Sequence, residues 1–460
     1  MKIKIQFVID HEGQSITEDI AYLTRDELSP ETLGMSLKEV KKITAGIQQA
    51  MVTHQITDYL AHHRNCACCG KILRIKGYHT LVYRTLFGKL SIKSPRLHGC
   101  CGQSKRKTFS PLVNILHERA APELRYLQSK WASLMSYEMT TQVLEEVLPV
   151  EISASTVYHT TQQVALRLEG ELGKEQTMFV EGCQRDWGNL PRPATPITVG
   201  IDGGYVHARD GEDRKAGWFE VIVGKSLQDT HKTKRFGFVA SYDKKPKRRL
   251  YEMLKNQGLQ MNQDITFLSD GGDTVRDLQV YLSPQAEHIL DWFHITMRLT
   301  VMQQLAKNVP ADILNPTKEL ERIKWYLWHG NVFHALKATE SLIFFSTEDF
   351  DEKLNSNEHK LFQLLEDFYQ YIDNNREFIP NYSNRYHYGE AISSAFVESA
   401  VNEVVSKRMV KQQQMRWTKK GAHLLLQVRI KTLNHELRQA FCRWYPKMER
   451  GNDASLPLAA

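Results

Sequence analysis

Three acids in this sequence have the type and setting for metal-assisted chemistry on a phosphodiester. Asp270 lies in Phe267-Leu268-Ser269-Asp270-Gly271-Gly272-Asp273, and Asp202 in Ile197-Thr198-Val199-Gly200-Ile201-Asp202-Gly203-Gly204. Each follows an apolar, strand-like run and precedes two glycines that predict a sharp turn, so both are expected at strand tips. An acid there has its stem held by the sheet and its oxygens free in the crevice outside the carboxyl ends of the strands, where open α/β sheets bind ligands. Glu398 falls in the early turns of a helix expected to begin near Ser393 or Ser394, either of which can serve as N-cap. Two Mg²⁺ ions about 3.5–4 Å apart activate the attacking oxygen and stabilise the leaving one. Magnesium, or manganese in its place, needs only a few carboxylates. Asp202 is expected to bridge the two ions, with Asp270 completing one shell and Glu398 the other. On pattern alone Glu390 and Glu403 compete with Glu398. Asp291 and His294, at i and i+3, share one helix face; they either support such a site or form a capping or core pair.

A second group of chemically capable residues is the cysteines. Five of the seven (Cys66, Cys68, Cys69, Cys100, Cys101) cluster, while Cys183 and Cys442 stand apart. An odd, clustered count points to metal rather than disulfides. Cys66 and Cys69 form a CxxC knuckle, and a hairpin leads back to Cys100 and Cys101. That is the plan of a structural zinc ribbon with four thiolates. Adjacent cysteines do not easily face one ion, so His98 is an alternative ligand and free thiols in a plain hairpin are the other reading.

The cations are clustered too. Net charge is +7, yet Lys232 to Arg249 holds eight Lys or Arg and Lys407 to Lys420 holds six. Such patches bind phosphates and release counterions. The candidate DNA contacts are Lys244, Lys245, Lys247, Arg248, Arg249, Lys407, Arg408, Arg416, Trp417, Lys419 and Lys420, set against the common fate of a charge run as a solvated face.

These residues need elements to position them. The chain has 460 residues, 42% hydrophobic and 25% charged, enough for several domains. It has no apolar run of about 18 residues and no signal-peptide block at its start. These features predict a cytoplasmic protein, nucleoid-associated when bound to DNA. A hairpin and a helix opened by the capping box Ser36-Leu37-Lys38-Glu39 are expected over residues 1–62, and the cysteine-containing β module over 63–112. A helical module follows over 113–190, in which a short helix, a turn at Pro149 to Ser153 and a longer helix suggest a helix-turn-helix with Thr156, Tyr158, His159, Gln162 and Gln163 facing a groove; two packed helices of no special role are the other reading. Trp187 to Pro196 reads as a linker. The catalytic core is expected over 191–300 and 389–435, interrupted by a helical insertion over 301–388, with a C-terminal tail over 436–460. Three strands, a helix, then strand, helix and strand is the order of an RNase H-like domain. The expected fold is therefore an α/β core with a five-stranded mixed sheet and a helical insertion, preceded by α+β and helical DNA-recognition modules.

At these residues the chain closely resembles bacterial insertion-sequence transposases of the ISKra type, a DDE group related to the Mutator-like transposases. The resemblance runs through Thr85-Leu86-Phe87-Gly88, Lys130-Trp131-Ala132-Ser133-Leu134, Gly200 to Val206, Phe219 to Ser226, Leu268 to Gly272, Asp291 to Arg298, Val397-Glu398-Ser399 and Met415-Arg416-Trp417. It implies Mg²⁺-dependent cleavage at element ends and strand transfer into target DNA, in a homo-oligomer. It also assigns Asp202, Asp270 and Glu398 to the catalytic triad, and Asp291 and His294 to a supporting DxxH element. Two departures are the Cys100-Cys101 knuckle and Gln412-Gln413-Gln414, which stands where relatives often carry Arg-Ser-Gly. A nuclease or junction resolvase on the same fold, and a non-catalytic DNA-binding descendant, are the rival readings.

Overall fold

The computed structural model describes residues 1–11, 13–66, 68–100, 108–176, 190, 195–209, 217–228, 233–272, 275–278, 286–307, 315–348, 356–411 and 415–450. The chain divides into two units, residues 1–166 with 435–460, and residues 167–434.

In the first unit β1 (Lys2–His11) and β2 (Gln14–Thr24) form an antiparallel hairpin. Helix α1 (Leu37–His62) starts on a complete capping box between Ser36 and Glu39. Glu39 does double duty, because Arg25 reaches both its oxygens at 2.8 Å while also donating to the Thr32 and Gly34 carbonyls. The loop before α1 is thereby fixed. Strands β3 (Ile75–Thr85) and β4 (Gly88–His98) pair antiparallel, and the short β5 (Thr108–Phe109) adds to β4. Leu81, Leu90, Ile92 and Leu112 form their core, closed by Val52, Ile56 and Tyr59 of α1. Helices α2 (Pro122–Leu134), α3 (Tyr137–Val147) and α4 (Ala154–Leu172) follow, α4 running on into the second unit. The expected helix–turn–helix order is present, with His159 and Gln163 exposed on α4 and Tyr158 edge-on against Tyr137.

The expected tail is a correction. Leu437–Trp444 is a helix of the first unit. Arg438 clamps Glu123 through two bonds of 2.6 and 2.7 Å, and the Tyr445 hydroxyl accepts from Arg125 at 2.8 Å. A bidentate guanidinium–carboxylate pair fixes orientation as well as contact. Residues 451–460 lie outside the described residues.

The second unit is α/β. Its five-stranded mixed sheet has the order β10-β9-β6-β7-β8, where β6 is Ile197–His207, β7 Trp218–Leu227, β8 Lys234–Val239, β9 Ile265–Ser269 and β10 Glu287–Leu290. The first three strands meander antiparallel, while β6/β9 and β9/β10 run parallel. Residues at period two on one face (Ile197, Val199, Ile201; Ile222; Phe236, Phe238; Ile265, Phe267) pack under α5 (Pro246–Gln257) through Leu250, Met253 and Leu254. Helices α6 (Trp292–Ala306), α7 (Pro316–Trp328), α8 (Val332–Glu348), α9 (Ser356–Asn374) and α10 (Tyr382–His387) share a core with Leu268, Ile289 and Leu290, so the helical block is seated on the β9/β10 side of the sheet. The opposite sheet face meets α11 (Ala395–Val401), which widens into a π-helical turn to Val410, and α12 (Lys419–Leu433), a helix buried nearly all round.

One glycine pattern reads differently in three dimensions. Asp202 is not at a strand tip: β6 continues through Gly203 and Gly204 to His207. These glycines exist for packing. A Cβ on Gly200 would sit 2.0 Å from Val397, and one on Gly204 would sit 2.8 Å from Val401. Missing side chains let α11 lie close on β6. Gly271 does make the expected turn, with φ +85°, a region L-residues avoid. Replacing Gly200 by alanine should push α11 off the strand and cost about 1–3 kcal/mol. Urea unfolding should show a lower midpoint at unchanged slope.

Candidate active site

Pairing between β6 and β9 stops at Gly200 and Leu268. Beyond that point β6 keeps its ladder with β7, and its end at His207 accepts from Trp417 N–H at 2.9 Å, so a crevice opens between β6 and the chain leaving β9. Asp202 occupies the β6 wall and Asp270 stands at the β9 exit. The Asp270 turn is pinned by the helical block. Tyr371 donates to the Asp270 carbonyl at 3.1 Å, and Arg276 bridges the Gly271 carbonyl (3.2 Å) and Asn375 (2.5 Å). Arg298 lies over the Tyr371 ring at 4.1 Å, a cation–π contact that holds the phenol in place.

The third wall is α11, and its placement depends on Asp291. This residue is fully buried, and its carboxylate accepts four hydrogen bonds. Phe293 N–H and Ser394 N–H reach Oδ1 at 2.9 Å each, while His294 Nδ1 (2.6 Å) and the Ser394 hydroxyl reach Oδ2. A carboxylate offers about four lone-pair sites, so all are used. Asp291 N–H in turn donates to the Ser269 carbonyl at 2.9 Å, and Trp292 N–H to Ile392 at 3.2 Å. One side chain thus caps α6, orients His294 and anchors Ser394, whose own carbonyl receives the Glu398 N–H at 3.0 Å. Of the two readings of the Asp291–His294 pair, the cap is present, and His294 also feels the charges of Asp270 and Asp202. Ser394 occupies the N-cap position of α11, but its hydroxyl serves Asp291 rather than the helix.

The electrostatics follow from this packing. Burial pushes the Asp202 carboxyl above its ordinary value; Asp270 and Asp291 add to the shift, while the Gly203 N–H (2.7 Å) and His294 oppose it. Burial and then Asp202 raise Glu398 in the same way. Four hydrogen bonds outweigh burial at Asp291 and hold it low. The Asp291 bond, against desolvation, raises His294, with help from Asp270 and Asp202. With Nδ1–H directed at Asp291, the free Nε2 is the nitrogen that titrates. Glu220 of β7, absent from the sequence expectations, is a fourth carboxylate here: its pKa is raised by burial, then by Asp270 and Asp202, and its Oε1 lies 2.9 Å from where a Gly203 Cβ would be. Its signal in the sequence was a charge inside an otherwise apolar strand run. Among the described residues none of Asp202, Asp270, Glu220 and Glu398 has a Lys or Arg ion partner. Unpaired, mutually repelling oxygen donors suit a hard divalent cation. Glu390 and Glu403, the competitors of Glu398, are spent on Arg385 and Arg235.

The basic residues divide by burial. Lys244, Lys407, Arg416, Lys419 and Lys420 are exposed. Lys245 and Arg248 donate to the Glu169 and Leu172 carbonyls, closing the last turn of α4, where cations also complement the helix dipole; Lys247 is half-buried. Arg249, Arg408 and Trp417 are buried, which removes them from any surface contact. Arg408 lies over the Trp417 ring at 5.3 Å. Arg249 bonds Asp243 (2.7 Å), Glu169 (2.7 Å) and Gln427 (2.8 Å), 3.0 Å from His423. Glu169, Asp243 and His423 converge like metal ligands, yet the cation between them is the guanidinium. Burial opposes it, but His423 and Arg249 hold Glu169 down to about 2. In the first unit Cys66, Cys69 and Cys100 come together; Cys101, Asp273, most of the Trp187–Pro196 linker and Gln412-Gln413-Gln414 lie outside the described residues.

No protein-family model matches this chain, and no curated protein matches it either.

Two outcomes test this geometry. His294 should titrate above about 6.5 and fall back toward that value in Asp291→Asn, followed by imidazole NMR. Asp291's depressed pKa gives stability that is present above about pH 4 and lost as pH falls through its folded value; His294's raised pKa gives stability that is full below about pH 6.5 and lost as pH rises through its folded value. The pair's joint contribution is therefore fullest between those limits. Separately, Arg249→Met should cost roughly 3–5 kcal/mol in denaturant unfolding, because it strands the largely desolvated carboxylates of Glu169 and Asp243.

Proposed function

We propose that this chain is a DDE transposase of the ISKra-like insertion-sequence type, acting on DNA through an RNase H-like core. The observation that carries the reading is that Asp202 lies within electrostatic reach of both Asp270 and Glu398. They come from a strand, a strand exit and a helix, linked electrostatically through Asp202 and unpaired by any Lys or Arg among the described residues. The sheet order supports the fold assignment, with an antiparallel three-strand meander extended by two parallel strands.

Asp202, Asp270 and Glu398 would hold two divalent ions, magnesium or manganese. Bound there, such ions activate an attacking oxygen and stabilise the leaving one. The remaining work falls to the protein. Asp202, within electrostatic reach of both other acids, would bridge the two ions. His294, whose Nδ1 is held by Asp291, would use its Nε2 to donate a hydrogen bond to a phosphate oxygen or to take a proton from an attacking water or 3′-hydroxyl. Exposed Lys244, Lys407, Arg416, Lys419 and Lys420 neutralise phosphates along the duplex. Exposed His159 and Gln163 of α4 supply side chains suited to reading bases in a groove. Pairing of two DNA ends calls for two copies of the chain.

The test is cleavage and strand transfer on DNA carrying the element's own ends, with Mg²⁺, comparing wild type with Asp202→Asn, Asp270→Asn and Glu398→Gln. Each variant should bind the ends with unchanged affinity and lose roughly 10²–10³-fold in rate, the usual cost of removing one stabiliser of transition-state charge. Cutting without joining would favour a nuclease or resolvase. Binding without cutting in either Mg²⁺ or Mn²⁺ would favour a non-catalytic DNA-binding protein. Full activity of Glu398→Gln would sink the assignment of the third acid.

A further inference from the structure

We propose that Cys66, Cys69 and Cys100 together bind one Zn²⁺ ion, which clamps the β3/β4 hairpin to the end of α1. The site is separate from the acidic crevice and does not depend on the reading of its function.

The backbone brings these thiols together before any side chain is considered. Cys66 N–H donates to the Lys71 carbonyl at 2.8 Å, and Gly70 N–H to the Cys66 carbonyl at 2.9 Å. Asn65 and Ile72 bridge across the base of this loop, and Leu73 N–H bonds Arg64 at 2.9 Å. Gly70 takes φ +68°, which lets the chain reverse immediately after Cys69. The result is a tight knuckle with two cysteine side chains on its concave side. The other half arrives from β4. His98 N–H donates to the Arg74 carbonyl at 2.9 Å, so the strand end is tied to the residues leaving the knuckle, and Cys100 follows two positions later.

The three Sγ atoms lie within 4.8 Å of one another. Four sulfurs at about 2.3 Å from a tetrahedral zinc stand roughly 3.8 Å apart along each edge, so the spacing fits a shared ion. Cys69 and Cys100 Sγ are 3.3 Å apart, too long for a disulfide at about 2.05 Å. Soft thiolates in a tetrahedral set select zinc over the hard ions of the acidic site. On binding, three S–H protons leave to solvent as three Zn–S bonds form, and the fourth corner takes an additional donor on the exposed side of Cys69 and Cys100.

Sequence reasoning placed this metal on the Cys66–Cys69 knuckle and an irregular second knuckle at Cys100 and Cys101, with His98 as an alternative ligand. Among the described residues the thiols that converge are those of Cys66, Cys69 and Cys100.

The test uses the full chain, purified without chelator and analysed by elemental mass spectrometry. About one zinc per chain is expected for a single such site. Exchange into Co²⁺ should give the visible bands and near-ultraviolet sulfur-to-cobalt charge transfer of a tetrahedral thiolate site, a readout that needs no variant. Cys66→Ser and Cys100→Ser should each weaken zinc binding by more than the roughly 10–100-fold typical of a lost outer-shell partner, while Cys442→Ser keeps full zinc content. Chelation should lower the thermal midpoint of wild type and leave that of Cys66→Ser unchanged. Zinc-free protein that stays zinc-free on reconstitution, zinc retained by the Cys66 and Cys100 variants, or a Cys69–Cys100 disulfide found by peptide mapping would each overturn the proposal.

Discussion

Everything near the acidic crevice hangs on one buried carboxylate. Asp291 has no exposure to water, and a lone ionised group there would be prohibitively costly. It persists because four donors from two chain segments saturate its oxygens. The same saturation is what fixes the architecture. Loss of any donor leaves a desolvated lone pair, so α6, His294 and the Ser394 turn are held to one arrangement. Glu398, one helical turn beyond Ser394, is positioned as a consequence, although Asp291 never touches it.

The opposite logic governs the acids of the crevice. Asp202, Glu398 and Glu220 are partly desolvated, mutually repelling and without cationic side-chain partners among the described residues, so burial and repulsion raise all three. A fold maintains such a group only if packing elsewhere outweighs the repulsion. Here that packing is the close approach of α11 to β6 across Gly200 and Gly204, together with the grip of α9 on the Asp270 turn. The helical block, long in sequence and inserted between two of the acids, is therefore a positioning element for Asp270.

Arg249 illustrates how the fold disposes of charge. It belongs to a run of cations that looks uniform in sequence, yet it is buried among Glu169, Asp243, His423 and Gln427 and joins the end of α4, α5 and α12. Its neighbour Lys244 is exposed. One residue braces the core and the other is free for phosphates: Arg249 lies on the buried side of α5, and Lys244 precedes the helix.

Much of this was legible in the sequence, and the misreadings have a common cause. Apolar runs of period two located all five strands of the sheet, the Ser36 capping box located α1, and Gly271 was read correctly as a turn, because propensity, periodicity and capping are local. Asp202 was misplaced at a strand tip because a glycine that opens a turn and a glycine that admits a neighbouring helix are the same letter; only the position of Val397 and Val401 distinguishes them. Residues 437–444 looked like a tail because their partners, Glu123 and Arg125, lie more than three hundred positions away. Glu220 and Tyr371 went unnoticed, and Ser394 was read only as a cap, for the same reason. The sequence by itself determined the elements, their order and which acids were available. Tertiary structure decided which charges are buried, which glycines turn and which side chains meet, since burial and contact are properties of distant segments brought together.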